Sequence, residues 1–439
     1  MITQTLAQLE AGLLKGIKQL KLNEQLTAFP KIIYDLADTL EILDLSGNQI
    51  SSLPDDFTRL HNLKILFLSD NQFTVFPEVL GKCKSITMIG FKNNQIHTIS
   101  ATALHTEIRW LILTNNRLIQ LPASIGNCRN MQKLALAGNA LTSLPKELSN
   151  CKNLGLLRIS ANQLKEFPEW LFTMPKLSWL AFAGNPFCYQ PSVETSLAEI
   201  HWESLSLQHQ LGQGASGIIS KAIWQKNATE TIEVAVKEFK GAITSDGLPE
   251  DEMNACILAG THQNLIPLLG KIANHAQKKE GLVLGLIPPS FKNLGLPPSF
   301  ESCTRDVFEA GTIFTTQQVV KIIMAAASVG KHLHSKGILH GDLYAHNTLI
   351  NHDAEILIGD FGAASLYDTK DIAKAGYLEK IEVLAWAYLL DDLLLNLQSI
   401  EEDAASIAAL NAIKAKAMHE IVLNRPTFTE IETMLMAIV

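Results

Sequence analysis

Three oxygen-bearing side chains in the C-terminal half of the chain stand at spacings that suit chemistry on a phosphate group. Asn347 follows Asp342 by five residues, and Asp360 follows Asn347 by thirteen. In phosphoryl transfer from ATP, one carboxylate orients the attacking hydroxyl group, while an amide oxygen and a second carboxylate hold Mg²⁺ on the phosphates. Asp342, Asn347 and Asp360 are therefore candidates for these parts.

A glycine-rich run precedes these residues and predicts where the phosphates would lie. A GxGxxG pattern alone is weak, because dinucleotide-binding folds share it, but in those folds a helix follows the glycines. Here strand-like sequence follows, then a turn at Asn227 and a second strand that ends at Lys237. Two strands joined across a glycine-rich turn favour a hairpin that covers phosphates. The predicted ATP-binding residues of this run are Leu211, Gly212, Gln213, Gly214, Ala215, Ser216, Gly217 and Ile219.

These motifs occur in the order found in the protein-kinase family. The stretch from Ile338 to Ile350, read with Gly359-Asp360-Phe361-Gly362, resembles the catalytic loop of that family and the motif that follows it. The segment that ends at Lys237 is similar to the VAIK motif, and Asn424 to Ile431 is similar to the final RPxFxEI element. The resemblance covers residues 205–439, and its motifs are specific together although each is weak alone.

The resemblance implies that Asp342 and Asn347 act in catalysis and that Asn347 and Asp360 hold Mg²⁺. It also implies further residues of an ATP site. Ala235 would leave room for adenine, and Lys237 would bind the α- and β-phosphates and take part in catalysis. Lys237 then needs a carboxylate partner on the following helix, which offers Glu250, Asp251 and Glu252. The distance to the next motif favours Glu252, and the other two stay open. The other positions implied to face adenine are Leu284, as the gatekeeper, and the backbone of Gly285 and Ile287.

Several positions depart from the family pattern. Gly341 stands where the family usually has the Arg that reads activation-loop phosphate, and Tyr344 stands where serine/threonine kinases have a Lys. Without that Arg, a phosphate on the activation loop lacks its usual binding residue. We therefore expect a kinase that is active without phosphorylation of that loop, or one that is controlled in another way. His346 stands where some tyrosine kinases have an Arg, and Glu382 where the central helix normally has an Asp. The segment between Asp360 and Glu382 is also short.

Two other classes of protein stay open on the sequence alone. A His-Gly-Asp triplet with an Asn five residues after the Asp also resembles small-molecule phosphotransferases of the aminoglycoside and choline kinase type. The second alternative is a non-catalytic pseudokinase scaffold. Against it, the chain keeps Lys237, Asp342, Asn347 and Asp360 together, whereas a degenerate kinase has usually lost at least one of these. The repeats described next and the RPxFxEI element favour a protein kinase acting on serine, threonine or tyrosine hydroxyls.

The N-terminal half of the chain repeats itself about every 23 residues. Each repeat carries an LxLxxNxL frame, as in Leu43 to Ile50, and this frame is that of leucine-rich repeats. The alternating leucines point inward, and the Asn amide can bond neighbouring backbone so that stacked turns form a ladder. One repeat cannot bury its own face, so the repeats must stack as a solenoid. The repeating residues are Asn48, Asn71, Asn94, Asn116, Asn139, Asn162 and Asn185.

The concave face of such a solenoid carries a column of largely apolar side chains between the inward leucines. An exposed strip this apolar suggests a protein partner, or a surface that the chain's own second domain covers. The residues expected to meet that partner are Ile42, Ile65, Phe67, Met88, Trp110 and Trp179.

Composition excludes other classes of protein. The 439 residues are 47% hydrophobic and 18% charged, which excludes a disordered chain, and the formal net charge of −8 argues against broad binding of nucleic acid. No apolar run reaches the roughly 18–20 residues that span a bilayer, and residues 1–10 lack the pattern of a secretory signal peptide. Six cysteines without a CxxC pair suit a reducing cytosol. We therefore predict a cytoplasmic protein. The chain as a whole resembles bacterial leucine-rich-repeat protein kinases, so we expect a bacterial source, and delivery into a host cell stays open.

Together these patterns predict a multidomain α/β chain. Residues 1–198 are expected to form a leucine-rich-repeat solenoid of about seven repeats with an N-terminal cap. Residues 199–439 are expected to form a bilobal α+β domain of the protein-kinase type, with a small lobe over 199–287 and a large lobe over 288–439. The predicted ligands are ATP and Mg²⁺, and the predicted partners are a protein substrate and a protein bound by the repeats.

Overall fold

A computed structural model gives the fold of the chain. It describes residues 2–189, 197–214, 216–240, 243–244, 246–398 and 401–438. Contacts divide the chain into two units, namely residues 1–177 with 185–187, and residues 178–184 with 188–439. The predicted boundary between residues 198 and 199 differs from this division. Residues 178–184 have the sequence of a repeat, yet by their contacts they belong to the second unit.

Short parallel strands form the N-terminal unit and follow one another in chain order. Each strand pairs in register with the next, so that Ile42, Ile65 and Met88 lie side by side. A short helix, α1 (Leu6–Glu10), precedes them. The strands are β1 (Gln19–Lys21), β2 (Ile42–Asp44), β3 (Ile65–Phe67), β4 (Met88–Gly90), β5 (Trp110–Ile112), β6 (Lys133–Ala135) and β7 (Leu156–Arg158). The 3-10 helices of the opposite face are Lys31–Leu36, Phe57–Arg59, Glu78–Lys82, Ala123–Asn127, Lys146–Asn150 and Glu169–Thr173.

The repeating Asn side chains form a buried ladder of hydrogen bonds. Nδ2 of Asn116 donates to the carbonyl oxygens of Phe91 and Leu113 at 2.9 and 3.0 Å. Oδ1 of Asn116 accepts from the backbone N–H of Ile96 at 2.9 Å. Each amide thus joins one repeat to the repeat before it, which explains why Asn recurs in every frame. The same three-way pattern is made by Asn71, Asn94, Asn139 and Asn162.

The prediction of an exposed apolar strip on the strands is wrong in part. Ile65 and Met88 are buried, whereas Ile42, Phe67 and Trp110 are only half-exposed. Strands of a parallel sheet lie close together, so these side chains cover one another. The ring of Phe67 meets that of Trp110 edge to face with centroids 6.5 Å apart, and Nζ of Lys133 lies 4.5 Å above the Trp110 ring. Trp179, also buried, belongs to the second unit.

Among the described residues, a six-stranded sheet and one helix form the small lobe of the C-terminal unit. The strands are β9 (Glu199–His201), β10 (Leu205–Gln213), β11 (Gly217–Gln225), β12 (Thr231–Phe239), β13 (Leu268–Ala273) and β14 (Gly281–Gly285), and the helix is α2 (Pro249–Ala259). The strand order is β10-β11-β12-β14-β13-β9, with all neighbours antiparallel except β13 and β9. Val234, Val236 and Val283 fill the core on one face of this sheet. A further short strand, β8 (Trp179–Ala181), precedes them in the chain.

Four longer helices carry the large lobe. Helix α3 begins with a capping box, in which Thr315 and Gln318 each bond the other's backbone N–H. The helices are α3 (Thr316–Ser335), α4 (Ile372–Leu395), α5 (Ala404–Ala417) and α6 (Phe428–Met436). The short strands are β15 (Lys292–Asn293), β16 (Ile338–Leu339), β17 (Thr348–Ile350), β18 (Ile356–Ile358) and β19 (Ser365–Leu366).

These two units confirm the predicted fold class, a multidomain α/β chain with a repeat solenoid followed by a two-lobed α+β domain. Within the described part of the chain, no helix is long and apolar enough to cross a membrane.

Candidate active site

Lys237 reaches the site because β12 alternates its side chains between the two faces of the small-lobe sheet. Val234 and Val236 face the core, which leaves Ala235 and Lys237 on the other face. There Nζ of Lys237 forms an ion pair with Oε1 of Glu252 on α2. Burial disfavours the charge on Lys237, but the carboxylates of Glu252 and Asp360 outweigh it and hold the pKa of Lys237 above its usual value.

The Glu252 carboxylate is 2% exposed and only partly satisfied by the chain. Its Oε2 atom is buried and makes no hydrogen bond to the described residues. Buried polar atoms normally have a partner, so the orphaned oxygen marks a place where a polar ligand fits. A carboxylate oxygen accepts a hydrogen bond, so it suits a donor such as a water or a hydroxyl group, whereas the charged Nζ of Lys237 beside it suits an anionic group.

A cavity of about 410 Å³ opens beside this ion pair, between the small lobe and the catalytic loop. Small-molecule sites typically occupy a few hundred cubic ångströms. Ten of the residues predicted from sequence line it, namely Gly214, Ser216, Gly217, Ile219, Lys237, Glu252, Leu284, Ile287, Asn347 and Asp360. Predicted residues that do not line it are Leu211, Gly212, Gln213, Ala235, Gly285 and Asp342. Ala215 lies outside the described residues.

The glycine run forms the predicted hairpin. Strands β10 and β11 pair across it in antiparallel register, with Gly212 opposite Ile219. Gly214 N–H donates to the carbonyl oxygen of Gly217 at 3.0 Å and closes the turn. A Cβ atom on Gly217 would lie 2.5 Å from the backbone oxygen of Glu238, so close approach of β11 and β12 requires glycine at this position.

The catalytic loop joins Asp342 to Asn347. Nδ2 of Asn347 donates to Oδ2 of Asp342 at 2.6 Å and to the Asp342 carbonyl oxygen at 3.1 Å. The amide hydrogens are therefore directed at Asp342, which leaves the amide oxygen of Asn347 available to a cation. The loop is tied to the segment after it by His340, whose Nε2 lies 3.0 Å from the Gly359 carbonyl oxygen. The His340 and Phe361 rings pack with centroids 5.2 Å apart.

Glu382 on α4 holds the loop through hydrogen bonds to its backbone. Its Oε1 accepts from the backbone N–H of Gly341 at 2.7 Å, and its Oε2 accepts from that of His340 at 3.2 Å. Burial works to raise the pKa of Glu382, but the hydrogen bond and charge of His334 outweigh it, so the pKa lies below its usual value. An ionised, fully buried carboxylate thus fixes the backbone next to Asp342.

Asn347 and Asp360 fit a magnesium ion by the chemistry of their donor atoms. Both line the cavity and both offer oxygen, which is the ligand that Mg²⁺ prefers. Asp360 has a positive φ of 56° and is exposed. Among the described residues there is no group of three or more His, Cys, Asp or Glu side chains placed to hold a metal. Mg²⁺ usually binds through one or two protein oxygens plus phosphates and water, so two protein donors suffice.

Comparison with known proteins identifies the domain that these residues form. Residues 205–387 match the family model described as protein tyrosine and serine/threonine kinase, and residues 19–73 and 38–96 match a leucine rich repeat model. The chain contains a protein kinase domain after leucine-rich repeats. The site described above lies within that kinase domain.

Similar proteins share only part of their length with this chain. Cyclin-dependent kinase 11.2 of Caenorhabditis elegans is 27% identical over 220 residues, which is 49% of this chain and 30% of that protein. Fibroblast growth factor receptor 1 of Pleurodeles waltl is 28% identical over 195 residues, or 42% and 23%. A probable LRR receptor-like serine/threonine-protein kinase of Arabidopsis thaliana is 27% identical over 175 residues, or 38% and 26%. The chain thus spans less than a third of each relative.

The kinase domain also contains a buried carboxylate that the sequence did not reveal. Asp306 accepts from the backbone N–H of His346 at 3.0 Å, and its Oδ1 lies 2.7 Å from Nδ1 of the same residue. Burial works to lower the pKa of His346, but Asp306 outweighs it and raises that pKa above its ordinary value. Asp306 belongs to no recognised motif, so no local signal could have marked it. The cavity-lining Thr244 and Asp246 were missed for the same reason.

Proposed function

We propose that the kinase domain transfers the γ-phosphoryl group of Mg-ATP to a hydroxyl group of a protein. The observation that carries the proposal is the Lys237–Glu252 ion pair, which faces one cavity together with Asn347 and Asp360. A lysine that a buried carboxylate holds in its charged form is suited to bind phosphate oxygens. Separate residues of one strand, one helix and two loops thus supply the parts that phosphoryl transfer requires.

In the proposed reaction each residue has one task. Lys237 binds the phosphates, and Asn347 and Asp360 supply oxygens to Mg²⁺, which offsets negative charge on the phosphates. Asp342 orients the substrate hydroxyl and accepts its proton as the new bond from oxygen to the γ-phosphorus forms. The bond between the γ-phosphorus and the bridging oxygen breaks, and ADP leaves. Glu382 positions Asp342 through the backbone of the loop.

The proposed acceptors are serine and threonine hydroxyls of a protein, with tyrosine hydroxyls as the alternative. The test incubates the full chain with radiolabelled ATP, Mg²⁺ and a generic protein substrate, and it follows label in substrate and chain. Phosphoserine and phosphothreonine in a hydrolysate would support the proposal, whereas phosphotyrosine would replace the acceptor class. Label in an aminoglycoside or amino alcohol, with none in protein, would contradict it. Mg-ATP binding without any transfer would instead identify a pseudokinase.

The repeats are the proposed surface for a protein partner. Phe67 on β3 and Trp110 on β5 are half-exposed on the strand face of the repeats. Aromatic side chains of this kind are enriched where proteins bind. Trp110→Ala should weaken capture of that partner, while the exposed Asn130→Ala on another face should not. The predicted bacterial source stays a prediction, since the relatives named above are eukaryotic.

The predicted cytoplasmic location is also part of the proposal. Cys83, Cys128, Cys151 and Cys256 carry thiols, and burial raises the pKa of Cys83 and Cys151 to about 11. Buried thiols of this kind suit a reducing compartment and are poor nucleophiles. Fractionation of cells that express the chain would test the location.

A further inference from the structure

A strand with repeat sequence is bonded to the catalytic loop inside the C-terminal unit. Residues 178–184 belong to that unit by their contacts. Nε1 of Trp179 donates to the carbonyl oxygen of Leu343 at 3.2 Å. Its ring stacks on that of Tyr344, with centroids 4.4 Å apart and planes 6° from parallel. Leu343 and Tyr344 directly follow Asp342, so Trp179 holds the loop by two contacts next to the proposed catalytic carboxylate.

The same strand is also bonded to the segment after the metal-binding motif. Oγ of Ser365 accepts from the backbone N–H of Phe182 at 2.8 Å and from that of Ala183 at 3.2 Å. Ser365 is fully buried and pairs with Leu339 across β19 and β16. Residues 178–184 therefore contact both the loop that carries Asp342 and the segment that follows Asp360.

Gly341 provides the space for this contact. It has φ of +73°, and a Cβ atom there would lie 2.6 Å from the carbonyl oxygen of Leu180 and 2.8 Å from that of Ala363. Atoms at such distances overlap, so any side chain at this position would displace residues 178–184. The family's usual Arg therefore cannot occupy position 341 while the strand is in place.

We propose that residues 178–184 are a built-in positioning element of the kinase domain, with Trp179 as the positioning residue for Asp342. The strand would order the catalytic loop in place of the Arg that, in kinases that have it, binds the phosphate of the activation loop. This inference rests on the proposed phosphotransfer. Catalytic rates fall steeply when a reacting group moves by about 1 Å, and supporting contacts of this kind hold such a group in place.

Tyr344 gains a defined task from the same contact. Its ring is 5% exposed, lies under Trp179 and packs against the His346 ring with centroids 4.9 Å apart. A second aromatic ring, that of Tyr388 on α4, stacks on Trp179 with centroids 5.4 Å apart. The residue at position 344 is thus part of an aromatic stack that anchors the loop to α4 and β8.

The test compares Trp179→Ala and Trp179→Phe in the full chain with a matched variant, Trp202→Ala. Trp202 also packs on an aromatic ring, that of His275 at 4.0 Å between centroids, but it lies at the small lobe's edge. We measure kcat, KM for ATP and the affinity for Mg-ATP. Amide hydrogen exchange over residues 338–350 is measured in parallel, because it reports loop order whether or not transfer occurs.

We expect Trp179→Ala to lower kcat by about tenfold or more while KM for ATP changes less than about threefold, because the strand acts on Asp342 rather than on the nucleotide. Trp179→Phe keeps the stack and loses the N–H donor, so it should restore part of the rate. Exchange over residues 338–350 should be about tenfold faster in Trp179→Ala than in Trp202→Ala.

Two results would overturn the inference. Amide exchange over residues 338–350 that is unchanged in Trp179→Ala would overturn it, whether or not the chain is active. In an active chain, an unchanged kcat of Trp179→Ala would also overturn it. A wild-type chain that transfers no phosphate would count against the proposed function, and the exchange result would still decide the inference.

Discussion

The carboxylate of Glu382 lies 2.8 Å from Nε2 of His334, and both side chains are buried. Glu382 also accepts two backbone N–H groups of the catalytic loop. Helix α3, which carries His334, and helix α4, which carries Glu382, are thereby joined to the loop by one side chain. Loss of this carboxylate should therefore affect both stability and loop order.

Glu382→Gln should lower the free energy of unfolding of the kinase domain by about 3 kcal/mol at pH 7, because one carboxylate oxygen becomes an NH2 donor and a buried backbone N–H of the loop then loses its acceptor. The folded-state pKa of Glu382 is below its usual value. Its contribution is therefore fully present above about pH 4.3, the usual pKa of Glu, and is lost as pH falls through the lower folded-state pKa. Denaturant unfolding at several pH values measures the difference from wild type. The exposed Glu420→Gln serves as control, and a difference that grows on acidification would contradict this direction of pH dependence.

Lys237→Met should reduce kcat/KM by about a hundredfold or more, since it removes the cation proposed to bind the phosphates. Glu252 would then be buried without its partner, so the variant should also unfold more easily. A double-mutant cycle with Glu252→Gln should show strong non-additivity. Lys221→Met on the neighbouring strand, where Lys221 pairs with Glu233, is the matched control. Equal losses in both lysine variants would mean that the Lys237 effect is not specific to the site.

Asn139→Ala should destabilise the repeat unit by about 2–4 kcal/mol. Asn139 donates to two carbonyl oxygens at 2.9 Å and accepts from Leu118 N–H at 3.0 Å, and all these groups are buried. Asn130 is exposed and donates to the Glu107 side chain on the surface, so Asn130→Ala is the control. That control should cost less than about 0.5 kcal/mol. Far-UV circular dichroism in urea measures both, and similar midpoints would refute the ladder's role.

Gly341→Ala should destabilise the kinase domain by about 1–3 kcal/mol and lower kcat, because alanine disfavours the positive φ. The added Cβ also meets the Leu180 carbonyl oxygen. Gly376→Ala lies in helix α4, where a Cβ meets no atom within 4 Å, so it should be neutral or stabilise by up to about 1 kcal/mol. Thermal unfolding and turnover of both variants test this pair. A Gly341→Arg variant that is fully stable and active would show that position 341 has room for a side chain, and this would contradict the prediction.

Features set by local spacing were predictable from the sequence. The Asn ladder follows from an eight-residue frame, because each amide bonds the repeat next to it. The strand pair around the glycine run and the pairing of Lys237 with one of three neighbouring acids also depend on short stretches. In each case the contacts that decide the structure involve neighbouring elements, so the pattern carries enough information.

Contacts between distant parts of the chain were not predictable. Trp179 was assigned to an exposed column, yet it is buried against Tyr344, which lies 165 positions later in the sequence. Asp306 and His346 meet across forty residues without a shared motif. Gly341 was visible as a departure, but its reason, the carbonyl oxygen of Leu180, is found only in three dimensions. The repeat and the motifs mark several of these positions, but they carry no information about which distant residue each one contacts.

The most direct test of the proposed chemistry is phosphate transfer by Asp342→Asn, measured together with its affinity for Mg-ATP. Asparagine keeps the size of the side chain but cannot accept the hydroxyl proton. We expect the rate of label transfer from γ-labelled ATP to fall by about a thousandfold, while Mg-ATP affinity stays within about threefold of wild type. Transfer by Asp342→Asn at the wild-type rate would contradict the proposed mechanism, because the chemistry would then not depend on this carboxylate.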